Sequence, residues 1–512
     1  MKKTWLLIIT LLLIIACNQK EKKITDRLQY EEKYRPQYHF SPDSGWMNDP
    51  NGMVYFEGEY HLFYQYYPDS IVWGPMHWGH AVSEDLVHWN HLPIALEPDS
   101  LGYIFSGSAV IDWQNSSGFG KDNKPPIVAI YTYHDMDAEQ KGEVKYQTQG
   151  IAYSNDKGRT WIKYEANPVL ENPGIKDFRD PKVFWHEAEN QWIMTLAVKD
   201  HVSFYKSNDL KDWTKSSDFG ASHGSHKGVW ECPDLFRLDD HWILLLSINP
   251  GGPNGGSATQ YFIGDFDGNK FTAIDDSTRW LDYGTDNYAG VTWSDIPQSD
   301  NRRLFIGWMS NWDYAQTVPT ERWRSAMTLP RELRLVENEK GKGLASIPVK
   351  ELDKLRDIEK AEMYNRSEIV TSASAITLPS DKLEINMQID QGNTGAGFEI
   401  IFENERSEQF IIGMDSASNK FYMVRDKIGG KAFSDKFDGT HFAPRVSNTP
   451  IINLRIYLDA SSIEFFADDY TVVMTEILFP EKPFNQMKFE SNNSNLTLNS
   501  VVVYPMKSIW HE

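Results

Sequence analysis

The chain has 512 residues, 40% hydrophobic and 24% charged, a globular balance that excludes a disordered polymer. Its 51 basic and 72 acidic residues leave a net charge of −21, which repels phosphate backbones and argues against a nucleic-acid partner. Two cysteines, Cys17 and Cys232, are too few for a disulfide scaffold or a four-thiolate zinc site. The aromatic share is 13%, an excess that suits β structure and surfaces on which sugar rings stack.

The N-terminus reads as a targeting segment. Lys2 and Lys3 precede an apolar stretch, Trp5 to Ala16. As a helix this stretch reaches only ~18 Å, short of the ~30 Å hydrocarbon core. It ends Ile14-Ile15-Ala16-Cys17, which resembles the lipobox of a bacterial lipoprotein signal. That resemblance implies a signal peptide over 1–16 and lipidation at Cys17. A polar tether over 17–36 would then hold the protein at the cell envelope, with membrane contact through the anchor alone. An ordinary signal peptide with an incidental cysteine is the competing reading.

From residue 37 to 335 short strand-like runs dominate, bounded by Gly, Pro, Asn and Asp. Examples are Met53 to Phe56, Ile127 to Tyr131, Trp192 to Leu196 and Trp242 to Leu246. A pattern recurs among them. Ser83-Glu84-Asp85 runs on to Trp89, Ser154-Asn155-Asp156 to Trp161, and Ser207-Asn208-Asp209 to Trp213. Gly264 to Phe271 is a looser relative. Repeats of strands and polar turns at this period predict propeller blades. A charged, Gly-bearing stretch at Glu337 to Gly343 predicts a linker over 336–358, with a short helix from Val349 to Ile358. Beyond it, over 359–512, apolar residues alternate: Leu383, Ile385, Met387 and Ile389 share one face, and so do Leu454, Ile456 and Leu458. That alternation predicts an antiparallel β-sandwich, so the whole chain reads as all-β.

Three acidic segments carry the chemistry: Trp46 to Gly52 (WMNDPNG), Phe178 to Pro181 (FRDP) and Trp230 to Asp234 (WECPD). A carboxylate before Pro sits on a backbone biased to extended or turn geometry. On separate blades, three such carboxylates would converge near the propeller axis. Two carboxyl groups across a sugar ring are the minimum machinery for glycoside hydrolysis.

On these three blocks the sequence resembles glycoside hydrolase family 32, the β-fructofuranosidases. Tyr64-Gln65-Tyr66, Trp73-Gly74-Pro75, Phe105-Ser106-Gly107-Ser108, Asp286 to Ala289 and Gly307-Trp308-Met309 agree with it. The resemblance implies a five-bladed β-propeller followed by a C-terminal β-sandwich. It implies a retaining double displacement, with Asp49 as nucleophile, Glu231 as acid/base and Asp180 as transition-state stabiliser. It assigns Asn48, Gln65, Ser106, Arg179 and Tyr288 to sugar contacts, and Trp73, Phe105 and Trp308 to the pocket wall. It implies a fructan or fructo-oligosaccharide substrate, no cofactor and no metal, and leaves the oligomeric state open. Cys232 reads as a small buried neighbour of Glu231 rather than a thiol catalyst. His77, His80, His88 and His91 read as strand residues rather than metal ligands. Exo-acting release of fructose, endo-acting levan cleavage and non-catalytic fructan binding are the three functions the sequence leaves in play. The Asn249 to Gly256 loop and the Trp308 to Arg324 segment resemble those of exo-acting bacterial fructanases more than those of sucrose-specific invertases, and the intact Asp49 and Glu231 pair argues against binding alone.

Overall fold

The computed structural model describes residues 30–364, 375–392, 396–428, 433–491 and 496–510. Cys17, the signal segment and most of the predicted tether lie outside the described residues. The described chain is nearly all antiparallel sheet, in two modules.

The first module contains five sheets of four principal strands. Their inner strands are Gly45–Phe56, Tyr103–Ile111, Phe178–His186, Val229–Leu238 and Tyr288–Thr292, for blades one to five. Each inner strand touches the next around a ring, and the fifth returns to the first. Trp323–Arg324, in the connection between the strands Arg303–Met309 and Arg331–Asn338 of blade five, adds a parallel strand to blade one and ties the ring shut. Both faces of a blade are covered by its neighbours, so central strands read as unbroken apolar runs. Ile127–His134 is buried at every position. The outermost strand Asn90–Leu96 is mostly half-exposed and correspondingly mixed. The recurrent Ser-x-Asp turns join the third and fourth strands of blades one to three. In blade one Asp85 Oδ1 accepts the Val87 and His88 amides, and the Trp89 indole donates to the Leu86 carbonyl at 3.1 Å. Blade three repeats this with Asp209, Lys211, Asp212, Trp213 and Leu210. Each turn is thus a self-contained Asx cage with an indole clasp.

The second module is a sandwich of two six-stranded sheets. The alternating residues meet in register, Leu383 opposite Leu458, Ile385 opposite Ile456 and Met387 opposite Leu454, and all are buried. Buried ion pairs join the modules. Arg331 reaches Asp282 at 3.1 Å and Glu464 at 2.6 Å, and Arg425 reaches Asp286 at 2.8 Å and Glu476 at 2.6 Å. His39 lies between Asp459 and Glu464; burial alone would lower it, but the two carboxylates outweigh that and raise it to about 9. Such networks fix geometry more surely than they add stability.

Three expectations need correction. Residues 336–348 are not linker. Arg331–Asn338 and Gly341–Pro348 form a hairpin that completes blade five, and the charged Gly-bearing stretch is its solvent-facing turn. The helix expected at Val349 to Ile358 is two short 3-10 turns, Lys350–Leu355 and Ile358–Lys360. The described end of the tether, residues 30–36, is docked rather than free. Tyr30 stacks on Trp510 at 4.0 Å, and the buried Arg35 guanidinium lies 3.8 Å over the Trp323 ring. Arg35 also donates to Ser41 Oγ and to the Pro42 carbonyl, so its charge is satisfied in place.

Candidate active site

Every inner strand carries a β-bulge at or beside a predicted site residue. The register slips between Met47 and Pro50, between Ile104 and Gly107, and between Glu231 and Asp234. It also slips opposite Thr195 and Ala197, across Asp180, and between Tyr288 and Val291. A bulge bends the strand and re-aims its side chains. Three bulged residues with a Cβ take left-handed backbone: Asp180 at φ +63°, Cys232 at +47° and Ala289 at +53°. Such conformations cost roughly 1–3 kcal/mol each and concentrate at functional sites.

The result is a pocket of about 330 Å³ at one mouth of the propeller axis, lined by Asn48, Asp49, Gln65, Trp73, Phe105, Ser106, Arg179, Asp180 and Glu231. Nine predicted site residues therefore meet there. Asp49 accepts from Asn48 Nδ2 at 3.0 Å through Oδ1, and from Ser106 Oγ at 2.7 Å through Oδ2. Asn48 is itself oriented by the Trp46 indole at 2.7 Å. Burial raises the Asp49 carboxyl and the Glu231 charge adds to that, while the Ser106 and Asn48 donors oppose it. Glu231 is gripped from two sides. Arg179 donates to Oε1 at 2.9 and 3.3 Å, and the Tyr288 hydroxyl donates to Oε2. Arg179 is steadied in turn by Asp177 at 2.8 Å.

Asp180 Oδ2 accepts the Cys232 amide at 3.0 Å. Its carboxyl is pushed up to about 7, first by burial and then by the Glu231 and Asp49 charges, with Arg179 opposing. Three carboxyls in one pocket cannot all ionise freely, so the set holds a proton near neutral pH. The Cys232 thiol lies 3.5 Å from Asp49 and 3.7 Å from Asp180, and burial holds it well above its usual range. It is a protonated donor wedged between two acids, which leaves it no nucleophilic role.

Two aromatic expectations are revised. Trp308 does not wall the pocket. It is fully buried, packed 6.1 Å from Trp46, 5.0 Å from Trp312 and 6.4 Å from Tyr288. In its place Trp312, four residues further on, joins Trp73 in lining the cavity. Tyr288 is also buried and reaches the site through Glu231. The structure adds Gln316, His134, Glu139, Gln147 and Asp177 to the lining. Glu139 arrives on the short helix Met136–Gln140 and meets His134 at 3.0 Å, while His134 stacks on Phe105 at 4.1 Å. Nothing in the sequence singled out this helix; Asp177, two residues before Arg179, was the most visible of the five. The Gly-rich loop rests on Asn311 beside Trp312, where a Cβ at Gly256 would come within 2.3 Å of the Asn311 side chain. Of the four histidines, His80 pairs with the buried His61 at 3.0 Å, His77 meets the Pro75 carbonyl, His88 meets Asp85 and His91 stacks near Phe40.

A propeller mouth holding a hydrogen-bonded carboxylate, a second carboxyl held by arginine and tyrosine, and aromatic walls defines a glycosidase. Comparison with known proteins agrees. Residues 39–348 match the glycosyl hydrolases family 32 N-terminal domain, and 351–505 match the family 32 C-terminal domain. The chain belongs to glycosyl hydrolase family 32. It is similar to a levanase of Bacillus subtilis (strain 168), at 46% identity over 99% of this chain and 75% of that one. It is also similar to an extracellular exo-inulinase of Aspergillus awamori, at 35% identity over 95% of this chain and 97% of that one. The crystal structure of exo-inulinase from Aspergillus awamori superposes with a TM-score of 0.85 at 34% identity, covering 94% of this chain and all of that one. A β-fructofuranosidase from Schwanniomyces occidentalis complexed with fructosyl-erythritol gives 0.83 at 33% identity, covering 94% and 99%.

Proposed function

We propose that this protein is an exo-acting fructan β-fructosidase that removes terminal fructose with retention of configuration. The observation that carries this is the pocket itself: Asp49 and Glu231 open into one cavity of about 330 Å³ at the propeller mouth. A cavity of that size has room for one terminal fructosyl unit and suits a chain end better than a segment within a chain. The levanase and exo-inulinase names of its relatives support fructan as the substrate.

In the first step an Asp49 oxygen attacks the anomeric carbon of the bound fructosyl unit. The bond to the glycosidic oxygen breaks, and that oxygen takes the Glu231 proton. In the second step Glu231 takes a proton from water, the water oxygen bonds to the anomeric carbon, and Asp49 leaves. Ser106 and Asn48 hold the attacking carboxylate. Arg179 and Tyr288 hold Glu231 where it can serve both steps. Asp180, wedged beside them, is placed to bond sugar hydroxyls and to answer positive charge developing on the ring.

A product time course on levan, inulin and sucrose tests the reading. Free fructose as the sole early product from both polymers supports exo action; a ladder of oligosaccharides in the first minutes overturns it in favour of endo cleavage.

A further inference from the structure

The WECPD segment contains a second carboxylate that the catalytic pocket does not use. The bulge at Cys232 and Pro233 separates Glu231 from Asp234, and Asp234 lines a different cavity, of about 620 Å³. That cavity opens at the opposite end of the propeller axis. Asp180 lines the catalytic pocket and Trp185 the far one, and five residues of the same strand, roughly 17 Å, separate them.

The far cavity has the composition of a ligand site. Asp234 is fully buried, and its Oδ2 is crowded. The Thr292 amide donates at 2.6 Å, the Thr292 hydroxyl at 2.8 Å, and Lys182 lies at 3.3 Å. Its other oxygen, Oδ1, has no hydrogen-bond partner. The half-buried Trp185 likewise has an unpartnered indole N–H. An acceptor and a donor, both buried and both without a partner, on residues that line one cavity call for a polar occupant. Trp113 stands at the rim, 63% exposed, yet it is held: its indole donates to Asp295 Oδ1 at 2.8 Å and its ring packs near Phe56. Arg303 lies 4.9 Å over the Phe236 ring. The lining carries three cations, Lys182, Arg237 and Arg303, against three anions, Glu187, Asp234 and Asp295. A balanced lining does not select a charged ligand. Preorganised indoles beside fixed hydrogen-bonding groups select a neutral polyhydroxylated ring, which offers a C–H face and hydroxyls together.

We infer that the far mouth of the propeller is a second carbohydrate site, and that it binds internal fructosyl units of the polymer whose ends enter the catalytic pocket. The identity of the sugar rests on the fructan reading above. Holding one segment of a long chain at this mouth raises the local concentration of its ends around the enzyme, an effect a short substrate cannot share.

The test is affinity electrophoresis of the full chain through native gels containing levan, with dextran gels as the control. Asp49→Asn is built in so that the polymer stays intact. Trp113→Ala removes the exposed platform, and Trp185→Phe, made separately, removes the unpaired donor and leaves a smaller aromatic ring in place. Thermal unfolding confirms that each variant remains folded. The expected result is levan-specific retardation of the parent, with an apparent dissociation constant raised about tenfold by Trp113→Ala and severalfold by Trp185→Phe. Equal retardation of all three proteins, or none of the parent, overturns the site. The chain with Asp49 intact is assayed alongside. Fructose release from levan together with equal retardation overturns this inference alone, whereas no release from any β-fructoside overturns the hydrolase reading and this one with it.

Discussion

Asp180→Asn gives a stability test that does not depend on turnover. Asp180 is fully enclosed, and its carboxyl is raised from 3.8 to about 7, burial being the largest cause. The sign follows from linkage. Below pH ~4 the group is protonated in both folded and unfolded chains and contributes nothing. Between ~4 and ~7 the unfolded chain has lost the proton while the folded chain keeps it, so stability falls as pH rises. Above ~7 both are ionised and the full cost remains. Three units at ~1.36 kcal/mol each give an upper value of about 4 kcal/mol. Arg179, Asp49 and Glu231 share the redistribution, so about half of that is expected. Asparagine removes the titration and can still accept the Cys232 amide. Urea unfolding followed by tryptophan fluorescence at pH 5 and pH 8 measures the effect. About two of those three units fall between pH 5 and pH 8, so the stability of Asp180→Asn relative to the parent should rise by about 1.4 kcal/mol between those two pH values, while turnover falls roughly 10²–10³-fold through loss of a charge placed at the transition state. Parallel pH profiles for the two proteins would refute the reasoning.

Asp49→Asn should lower kcat at least about 10⁴-fold with an unchanged circular dichroism spectrum, because it removes the nucleophile and keeps its shape. Glu231→Gln should be severely impaired on sucrose and much less so on a fructoside with an activated leaving group, a contrast visible in the ratio of the two rates. Trp312→Ala should raise KM about tenfold, equivalent to roughly 1.4 kcal/mol of lost stacking, whereas Trp308→Ala should instead cost about 3–5 kcal/mol of stability in urea titration. Cys17→Ala should shift the protein out of the membrane fraction after a high-salt wash, which immunoblotting of fractions measures; an unaltered distribution would remove the lipobox reading.

The parts of this molecule that were legible in its sequence are those where chemistry and backbone geometry coincide. WMNDPNG, FRDP and WECPD mark bulged strands because Pro and Gly interrupt the ladder at the position where a carboxylate must turn inward. The Ser-x-Asp turns were visible because each closes on its own residues. What escaped depends on contacts between distant segments. Trp308 and Trp312 are indistinguishable as residue types, and what separates them is that Trp308 lies on the blade-five strand Arg303–Met309, under Tyr288, while Trp312 follows that strand's end. The charged stretch at Glu337 to Gly343 reads as a linker because a hairpin tip on an outer blade strand has the same composition. Arg35 looked like one more charge in a polar tether until Trp323, Ser41 and the Pro42 carbonyl gathered around it. Asp234 closes the WECPD block only three residues after Glu231, yet the bulge between them sends it to the other end of the axis.

The central claim, double displacement at a chain end through Asp49 and Glu231, is tested most directly by levan hydrolysis in aqueous methanol with NMR analysis of the first-formed products. A fructosyl unit held on Asp49 can pass to methanol as well as to water, always from the face that the departing chain vacated. The account predicts methyl β-fructofuranoside alongside free fructose, with no oligosaccharide methyl glycosides. Methyl α-fructofuranoside, or methylated oligosaccharides as the main early product, would contradict it.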